Sequence, residues 1–285
     1  MEKPRYNHKN GKNRPYRNDR PKRANSAFAA MEQLDSQETA GDAGLIEGRN
    51  AVIEALRAGE NIDKIFIQKG ETDKTLGHIA SKARAAGIVV VDADKRKLDG
   101  MSRTHAHQGV IALAAMREYV SVEDILEKAA EKGEKPLIVI CDEISDPHNL
   151  GAIIRTAECA GAHGVVIPKR CSAGLTAVVA KTSAGAVAHM PVARVANIPS
   201  LINDLKKQGV WVFGSAAKGT TELYKADLKG SAAIVIGSEG DGMTRLAEEN
   251  CDFLVSIPMK GKLNSLNASA AAAILLYEAV RQRLS

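Results

Sequence analysis

The chain has 285 residues, 45% of them apolar and 4% aromatic, with a formal net charge of +5. A chain of this length buries a sizeable core in one or two domains. No apolar run approaches the roughly 18 residues of a membrane span, and the basic N-terminus lacks the apolar stretch of a secretory signal.

The positive charge is concentrated at the start. Residues 1–23 carry nine Lys/Arg against Glu2 and Asp19, a net +7, so residues 24–285 sum to −2. Residues 1–44 hold almost nothing to bury, and are expected to be a disordered basic tail followed by an acidic linker. The tail reads as an electrostatic arm for nucleic acid, with Tyr6 and Tyr16 free to stack on bases, or as a solubility tail. The four scattered cysteines form no C-x-x-C pair. They read as reduced thiols of a cytoplasmic protein.

A small α/β domain is expected over residues 45–117. Ile46, Val52, Ile53 and Leu56 fall on one helical stripe, predicting a helix over Leu45–Ala58 that Gly59 stops. Lys64–Gln68, Ile88–Val91 and Val110–Ala114 read as strands, and Thr75–Ala86 as a helix. His105 and His107 could begin a metal site, but no third ligand is near, and a polar loop fits better. Arg49, Lys64, Lys69, Lys74, Lys82 and Arg84 form either an RNA-facing basic surface or ordinary solvated helix sides.

Residues 118–135 read as a linker containing a helix over Val122–Ala130. The second domain takes residues 136–285. Leu137–Cys141 is an apolar run with the look of a buried strand. A polar loop precedes a helix over Asn149–Ala160. Strands are expected at Gly164–Ile167, Met190–Arg194, Val210–Gly214, Ala232–Ile236 and Leu254–Ile257, and a last helix over Asn267–Leu284. This alternation predicts a mainly parallel sheet with helices on both faces.

Several chemistries lose ground on motif grounds. Gly237, Gly240 and Gly242 read G-x-x-G-x-G, not the dinucleotide fingerprint. There is no G-x-x-x-x-G-K-[ST] loop, no G-x-S-x-G elbow, and no Cys/His cluster with ligand spacing, so no metal is expected.

Three motifs remain. The first runs from Asp146-Pro147-His148-Asn149-Leu150-Gly151 to Arg155-Thr156-Ala157. The second runs from Ile236-Gly237-Ser238-Glu239-Gly240-Asp241-Gly242-Met243 through Ile257-Pro258-Met259. The third is Asn264-Ser265-Leu266-Asn267-Ala268-Ser269. In order and spacing they resemble the SPOUT superfamily, in its SpoU branch of RNA ribose 2′-O-methyltransferases. Ile46–Val52 and Gln108–Ala112 likewise resemble the L30e-like RNA-binding module that precedes some catalytic domains. Domain order is closest to the bacterial enzymes that methylate a guanosine ribose in 23S ribosomal RNA.

The resemblance implies a trefoil knot, S-adenosylmethionine held in the knot loops, and a homodimer through the C-terminal domain. Ile274, Leu275, Leu276 and Tyr277 give the last helix more apolar surface than one core stripe needs, which places it in that interface. By the family pattern Gly237, Ile257 and Leu266 contact the cofactor. The loop after the earlier strand, with Ser215 and Ala216, adds to that site, as does Gly242. The glycines leave backbone free for a ligand, and Ile257 and Leu266 offer apolar walls to adenine.

Arg155, Glu239, Asn149, Ser265 and Asn267 are the candidate catalytic residues, and Arg49 and Arg155 the candidate RNA contacts. An arginine stays protonated, so Arg155 is expected to hold a phosphate and stabilise a developing alkoxide. Glu239 would position, either by holding Arg155 or by accepting a hydrogen bond. Ser265, Asn267, Ser269 and Asn149 could instead be helix caps. Met243 and Met259 read as packing. Two rival functions stay open on the residues: a relative acting on transfer RNA or an rRNA adenosine, and a non-catalytic RNA-binding or ribosome-assembly protein.

Overall fold

The computed structural model describes residues 44–70 and 73–285. The basic tail and its expected arm lie outside the described residues.

The first unit is a four-stranded sheet of order β1-β4-β2-β3, formed by β1 (Leu45–Glu47), β2 (Ile62–Gln68), β3 (Val89–Ala93) and β4 (Val110–Ala114). The parallel pair β2–β3 is bridged by α2 (Lys74–Ala85), while β1 and β4 add antiparallel. One expectation is corrected here. Leu45–Glu47 is not the start of a helix but a strand against Ile111–Leu113. The chain turns at Gly48, and α1 begins only at Arg49, running to Ala58. Helical spacing counted Ile46 on the wrong element, because three residues are too few to declare a period of two.

A helix absent from the sequence reading, α3 (Lys95–Met101), is capped by Asp94, whose carboxylate accepts from Lys97 N at 2.8 Å. It buries only Leu98 and Met101, so its apolar pattern is thin. His107 is also more than a loop residue. Its ring is buried, with Nε2 2.9 Å from Asp99 and Nδ1 accepting from Gly109 N at 3.0 Å.

Residues 118–135 are built into the larger unit. Val120 N donates to Val192 O at 2.9 Å. Helix α4 (Val122–Glu131) starts with a Ser121–Asp124 capping box. It drives Ile125 against Gly164, where a Cβ would overlap that side chain.

The larger sheet has the order β7-β6-β5-β10-β8-β11-β9 and every pairing is parallel. Its strands are β5 (Leu137–Cys141), β6 (Gly164–Pro168), β7 (Val192–Val195), β8 (Trp211–Ser215), β9 (Thr221–Glu222), β10 (Ala232–Ile236) and β11 (Phe253–Ser256). Strands β5, β6 and β10 are wholly buried, as the Val/Ile-rich runs demand of a sheet covered on both faces. One cover consists of α5 (Pro147–Cys159), α6 (Ala177–Thr182) and α9 (Ala268–Arg283). The other consists of α4, α7 (Ile198–Lys207) and α8 (Arg245–Asn250).

Two close passages of backbone mark the C-terminal part. At Gly219 a Cβ would lie 2.6 Å from Val255 C and 2.8 Å from Ser256 N, so this loop runs directly against β11. The segment after β11 then returns to bring Asn267 beside Asn149 of α5. Both passages lie where the SPOUT-like reading expects the knotted segment.

Helix α9 needs one further correction. Leu275 and Leu276 are buried in the chain's own core and are not spare surface for a partner. Tyr277 is half exposed. At its end Gln282 bonds Ala226 O and Leu228 N, and Arg283 donates to the carbonyls of Lys135, Pro136, Leu228 and Gly230.

Candidate active site

In a parallel α/β sheet, ligands meet the loops beyond the carboxyl ends of the strands. Four such loops converge here: 142–146 after β5, 216–220 after β8, 237–244 after β10 and 257–267 after β11. The N-termini of α5 and α9 open on the same edge.

The centre of this edge is a carboxylate. Glu239 Oε1 accepts from Asn149 Nδ2 at 3.0 Å, from Asn267 Nδ2, and from the Ala268 N–H at 3.3 Å. Asn267 Nδ2 also donates to Asn149 Oδ1 at 2.9 Å. Three motifs far apart in sequence thus meet in one hydrogen-bonded triangle, and each charge-assisted bond to the carboxylate strengthens it. Glu239 accepts hydrogen bonds and does not hold Arg155.

Asn267 is both cap and contact. Its Oδ1 accepts from Ser269 N at 2.9 Å and Ala270 N at 3.2 Å, leaving Nδ2 for Glu239. Asn149 is not a cap. Asp146 caps α5 through His148 N at 2.9 Å, with Pro147 in the first turn. That frees the Asn149 amide to point across to the other motifs. Ser269 Oγ donates to Asn267 Oδ1, and Ser265 is exposed in the 257–267 segment.

Arg155 lies six residues beyond Asn149 on α5, about 9 Å along the axis and on a different face. It is exposed and makes no hydrogen bond or ion pair among the described residues. Its guanidinium is therefore open to an anion. Arg49 differs. Its Nη1 lies 2.6 Å from Asp73 and its Nε donates to Gln108 O at 2.9 Å, so it also braces the small domain.

The 237–244 loop is tighter than its glycines suggest. Ser238 N donates to Gly242 O at 2.9 Å and Gly242 N returns to Ser238 O at 3.1 Å. These two N–H groups are spent inside the loop and are not free for a ligand. Gly240 and Gly242 hold φ of 98° and 74°, which residues with a Cβ rarely adopt. A Cβ on Gly237 would overlap the Gly242 carbonyl and the Met243 nitrogen. The loop is closed from below by a residue the motifs did not single out. Asp142 accepts from Thr244 N at 2.6 Å and Thr244 Oγ1 at 2.8 Å. The only sequence signal is its place at the end of an apolar run. Next to it, burial and then the charges of Asp142 and Asp241 hold the Glu143 carboxyl above its usual range.

The backbone available to a ligand is elsewhere. Residues 257–266 make no backbone hydrogen bond among the described residues. Unpaired N–H and C=O groups require a partner when covered. Ile257 is half-buried beside them, Leu266 and Met259 are partly exposed, and Leu263 is 80% exposed. Met259 is 37% exposed, whereas Met243 is buried. Across from them Ser215 and Ala216 are half-buried, with Ala216 N donating to Val255 O at 3.0 Å. Unpaired amides flanked by apolar side chains suit an adenine and a thioether-like chain, so the donor set fits S-adenosylmethionine. Among the described residues no group of His, Cys, Asp or Glu could hold a metal.

A parallel sheet whose three motifs meet at its carboxyl edge, joined to a small separate α/β unit, is the arrangement the motif resemblance implies for an S-adenosylmethionine-dependent RNA methyltransferase. Comparisons with known proteins agree. Residues 136–277 match the SpoU rRNA Methylase family, and residues 45–120 match the RNA 2′-O ribose methyltransferase substrate-binding family. A Bacillus subtilis protein assigned by name to the TrmH family of tRNA/rRNA methyltransferases, YacO, is 45% identical over 83% of this chain and 94% of its own. A Staphylococcus aureus (strain MSSA476) protein of the same naming is 46% identical over 84% of this chain and 96% of its own.

Solved structures give the same answer. The SpoU methyltransferase AviRb of Streptomyces viridochromogenes, in complex with AdoMet, aligns with a TM-score of 0.55 at 25% identity over 89% of this chain and 98% of its own. An AdoMet-bound rRNA methyltransferase of Sinorhizobium meliloti gives 0.55 at 27% identity over 92% and 97%. The chain belongs to the SpoU/TrmH family of RNA 2′-O-methyltransferases, and S-adenosylmethionine is its cofactor.

Proposed function

We propose that this methyltransferase acts on the ribose 2′-hydroxyl of a guanosine in 23S ribosomal RNA. The observation that carries the site is the Glu239–Asn149–Asn267 triangle beside the 257–266 backbone, with Arg155 on the same helix as Asn149; among the described residues neither that backbone nor Arg155 has a partner. The ribosomal assignment is supported by domain order and by the rRNA named for the Sinorhizobium meliloti relative. The tRNA in the names of the Bacillus and Staphylococcus relatives supplies the rival substrate.

When bound, S-adenosylmethionine supplies a methyl group already activated by its sulfonium, so the protein mainly aligns and polarises. Gly237, Gly242, Ser215 and Ala216 shape the loops that would hold the cofactor, and Ile257 and Leu266 would offer its adenine apolar walls. The Arg155 guanidinium holds a phosphate of the target nucleotide and stabilises charge growing on its 2′-oxygen. Glu239 Oε1 is saturated by three donors. Its Oε2 remains as an acceptor that orients the substrate hydroxyl. Ser265 and Asn267 lie where α9 opens and steady this wall. Arg49 steadies the face of the small domain that meets RNA.

The decisive experiment supplies the purified protein with labelled cofactor and transcripts of 23S rRNA or tRNA, then maps 2′-O-methyl groups. Label on a tRNA alone would transfer the reading to the rival substrate. Absence of a methyl group on rRNA from wild-type cells that is lost in a deletion strain would refute it.

We further propose that the chain works as a cytoplasmic homodimer through its C-terminal domain. The half-exposed Tyr277 and partly buried Ile274 on α9 support this. Light scattering at micromolar concentration should give twice the chain mass, and a monomer would rule it out.

The tail has its own test. Deleting residues 1–40 should leave folding and cofactor affinity unchanged and weaken RNA binding, more at low salt than at high. Cations that meet phosphate release counterions, and that gain shrinks as salt rises. An unchanged affinity and salt slope would rule out the arm.

A further inference from the structure

The two units of the chain are joined at a polar junction that the catalytic site does not use. Asp63, on β2 of the small unit, is 1% exposed. Its Oδ1 lies 3.0 Å from Arg194 Nη1 on β7 of the large sheet, and accepts from Tyr119 Oη at 2.6 Å. The Arg194 guanidinium sits 4.7 Å from the Tyr119 ring centroid. Burial, and then the facing Asp63 carboxylate, raises the Tyr119 hydroxyl above its ordinary value, so it stays a donor.

The fit is close. A Cβ on Gly174 would overlap the Asp63 carboxylate. Asp63 Oδ2 and Arg194 Nε are buried without a hydrogen-bond partner. A buried ion pair with an unsatisfied atom on each side is a poor source of stability, since desolvating two charges offsets their attraction. What such a pair does supply is a unique geometry, because a shift of either unit strands a buried charge.

That geometry is wired to the catalytic edge. Lys64 Nζ, next to Asp63, donates to Ser172 O at 2.8 Å. Ser172 Oγ and Ala173 N both donate to Ile144 O, at 3.2 and 2.9 Å. Ile144 lies in the short loop whose Asp146 caps the helix of Asn149 and Arg155. Further on, Thr182 of α6 packs so closely on Gly151 that a Cβ there would overlap its hydroxyl. The small unit is thus bonded to residues 172–174, and those to the start of the catalytic helix.

We propose that Asp63, Arg194 and Gly174 are positioning residues that fix the RNA-gripping unit relative to Arg155, and so set which nucleotide of a bound RNA reaches the methyl donor. The inference rests on the RNA-methyltransferase reading above. A displacement of about 1 Å can cost about 100-fold in rate even when the chemical groups are untouched.

Two variants disturb the junction by different routes. Asp63→Asn removes the charge at constant size, and Gly174→Ala wedges the carboxylate away without touching a charge. Each is compared with wild type by cofactor affinity in calorimetry, by kcat and KM on the transcript that wild type methylates, and by small-angle X-ray scattering of the full chain. Both variants should bind S-adenosylmethionine within about twofold of wild type, lose at least tenfold in kcat/KM on RNA, and show an altered scattering profile. Wild-type kcat/KM in both, or an unchanged scattering profile in both, would overturn the proposal. A loss of cofactor affinity equal to the loss of kcat/KM would also overturn it, since that marks general damage to the large unit. If wild type binds cofactor but methylates neither rRNA nor tRNA, the functional reading fails, and the scattering comparison still decides whether the Asp63–Arg194 junction fixes the two units.

Discussion

Arg155→Ala is expected to reduce methyl transfer by about 100- to 1000-fold, the range found when one preorganised donor to a developing oxyanion is removed. Cofactor affinity should stay within a few-fold of wild type, because Arg155 projects from α5 while the cofactor loops follow β8, β10 and β11. Folding should be unaffected. The side chain is exposed and bonds nothing among the described residues, so its loss leaves no orphaned group. Lysine is a poor substitute, since a point charge cannot make the bidentate grip of a guanidinium on phosphate. Arg155→Lys should therefore recover only part of the activity. Near-normal turnover of the alanine variant would remove Arg155 from the reaction.

The second large effect is expected at Gly237. Replacement by valine should abolish detectable cofactor binding, and the cause is internal. The first carbon of any side chain overlaps the Gly242 carbonyl and Met243 nitrogen, which belong to the protein's own loop. Overpacking of this kind costs roughly 1–3 kcal/mol when neighbours are side chains that can give. Here the neighbours are backbone, held by the paired Ser238 and Gly242 and by Asp142 on Thr244. The loop must open, so thermal melting and calorimetry should both register the change. Even Gly237→Ala should show most of the loss. If Gly237→Val binds cofactor with unchanged affinity, the 237–244 loop does not shape the pocket.

These contacts show what a sequence carries in plain view. The alternation of β-rich runs with glycine-stopped helices was enough for a parallel sheet with two covers, since burial on both faces leaves a continuous apolar imprint. Asn267 was legible as a cap because capping is a local transaction, completed within three residues. Its second bond, to Asn149, spans 118 residues, and no local pattern encodes it. Asp63 and Arg194 are 131 residues apart and each reads alone as an ordinary surface charge. Gly237 was legible as a position that tolerates no side chain, but not which atoms exclude it. Leu275 and Leu276 failed as interface residues for a similar reason. A helix apolar on several sides looks the same whether its neighbours belong to the same chain or to another.

The clamp at the end of α9 bears on how the protein is made. Arg283 lies 148 residues beyond Lys135, yet it donates to the carbonyls of Lys135, Pro136, Leu228 and Gly230. Pro136 O also accepts from Ala232 N, but the other three carbonyls stay with water until Arg283 is in place. Domains tend to fold in order as they leave the ribosome, so the small unit can finish early. The catalytic unit can gain this fastener only after residue 283 has been made, 148 residues after Lys135. A chain altered at Arg283 would keep every catalytic residue, yet the end of α9 would no longer be fastened to residues 135–136 and 228–230.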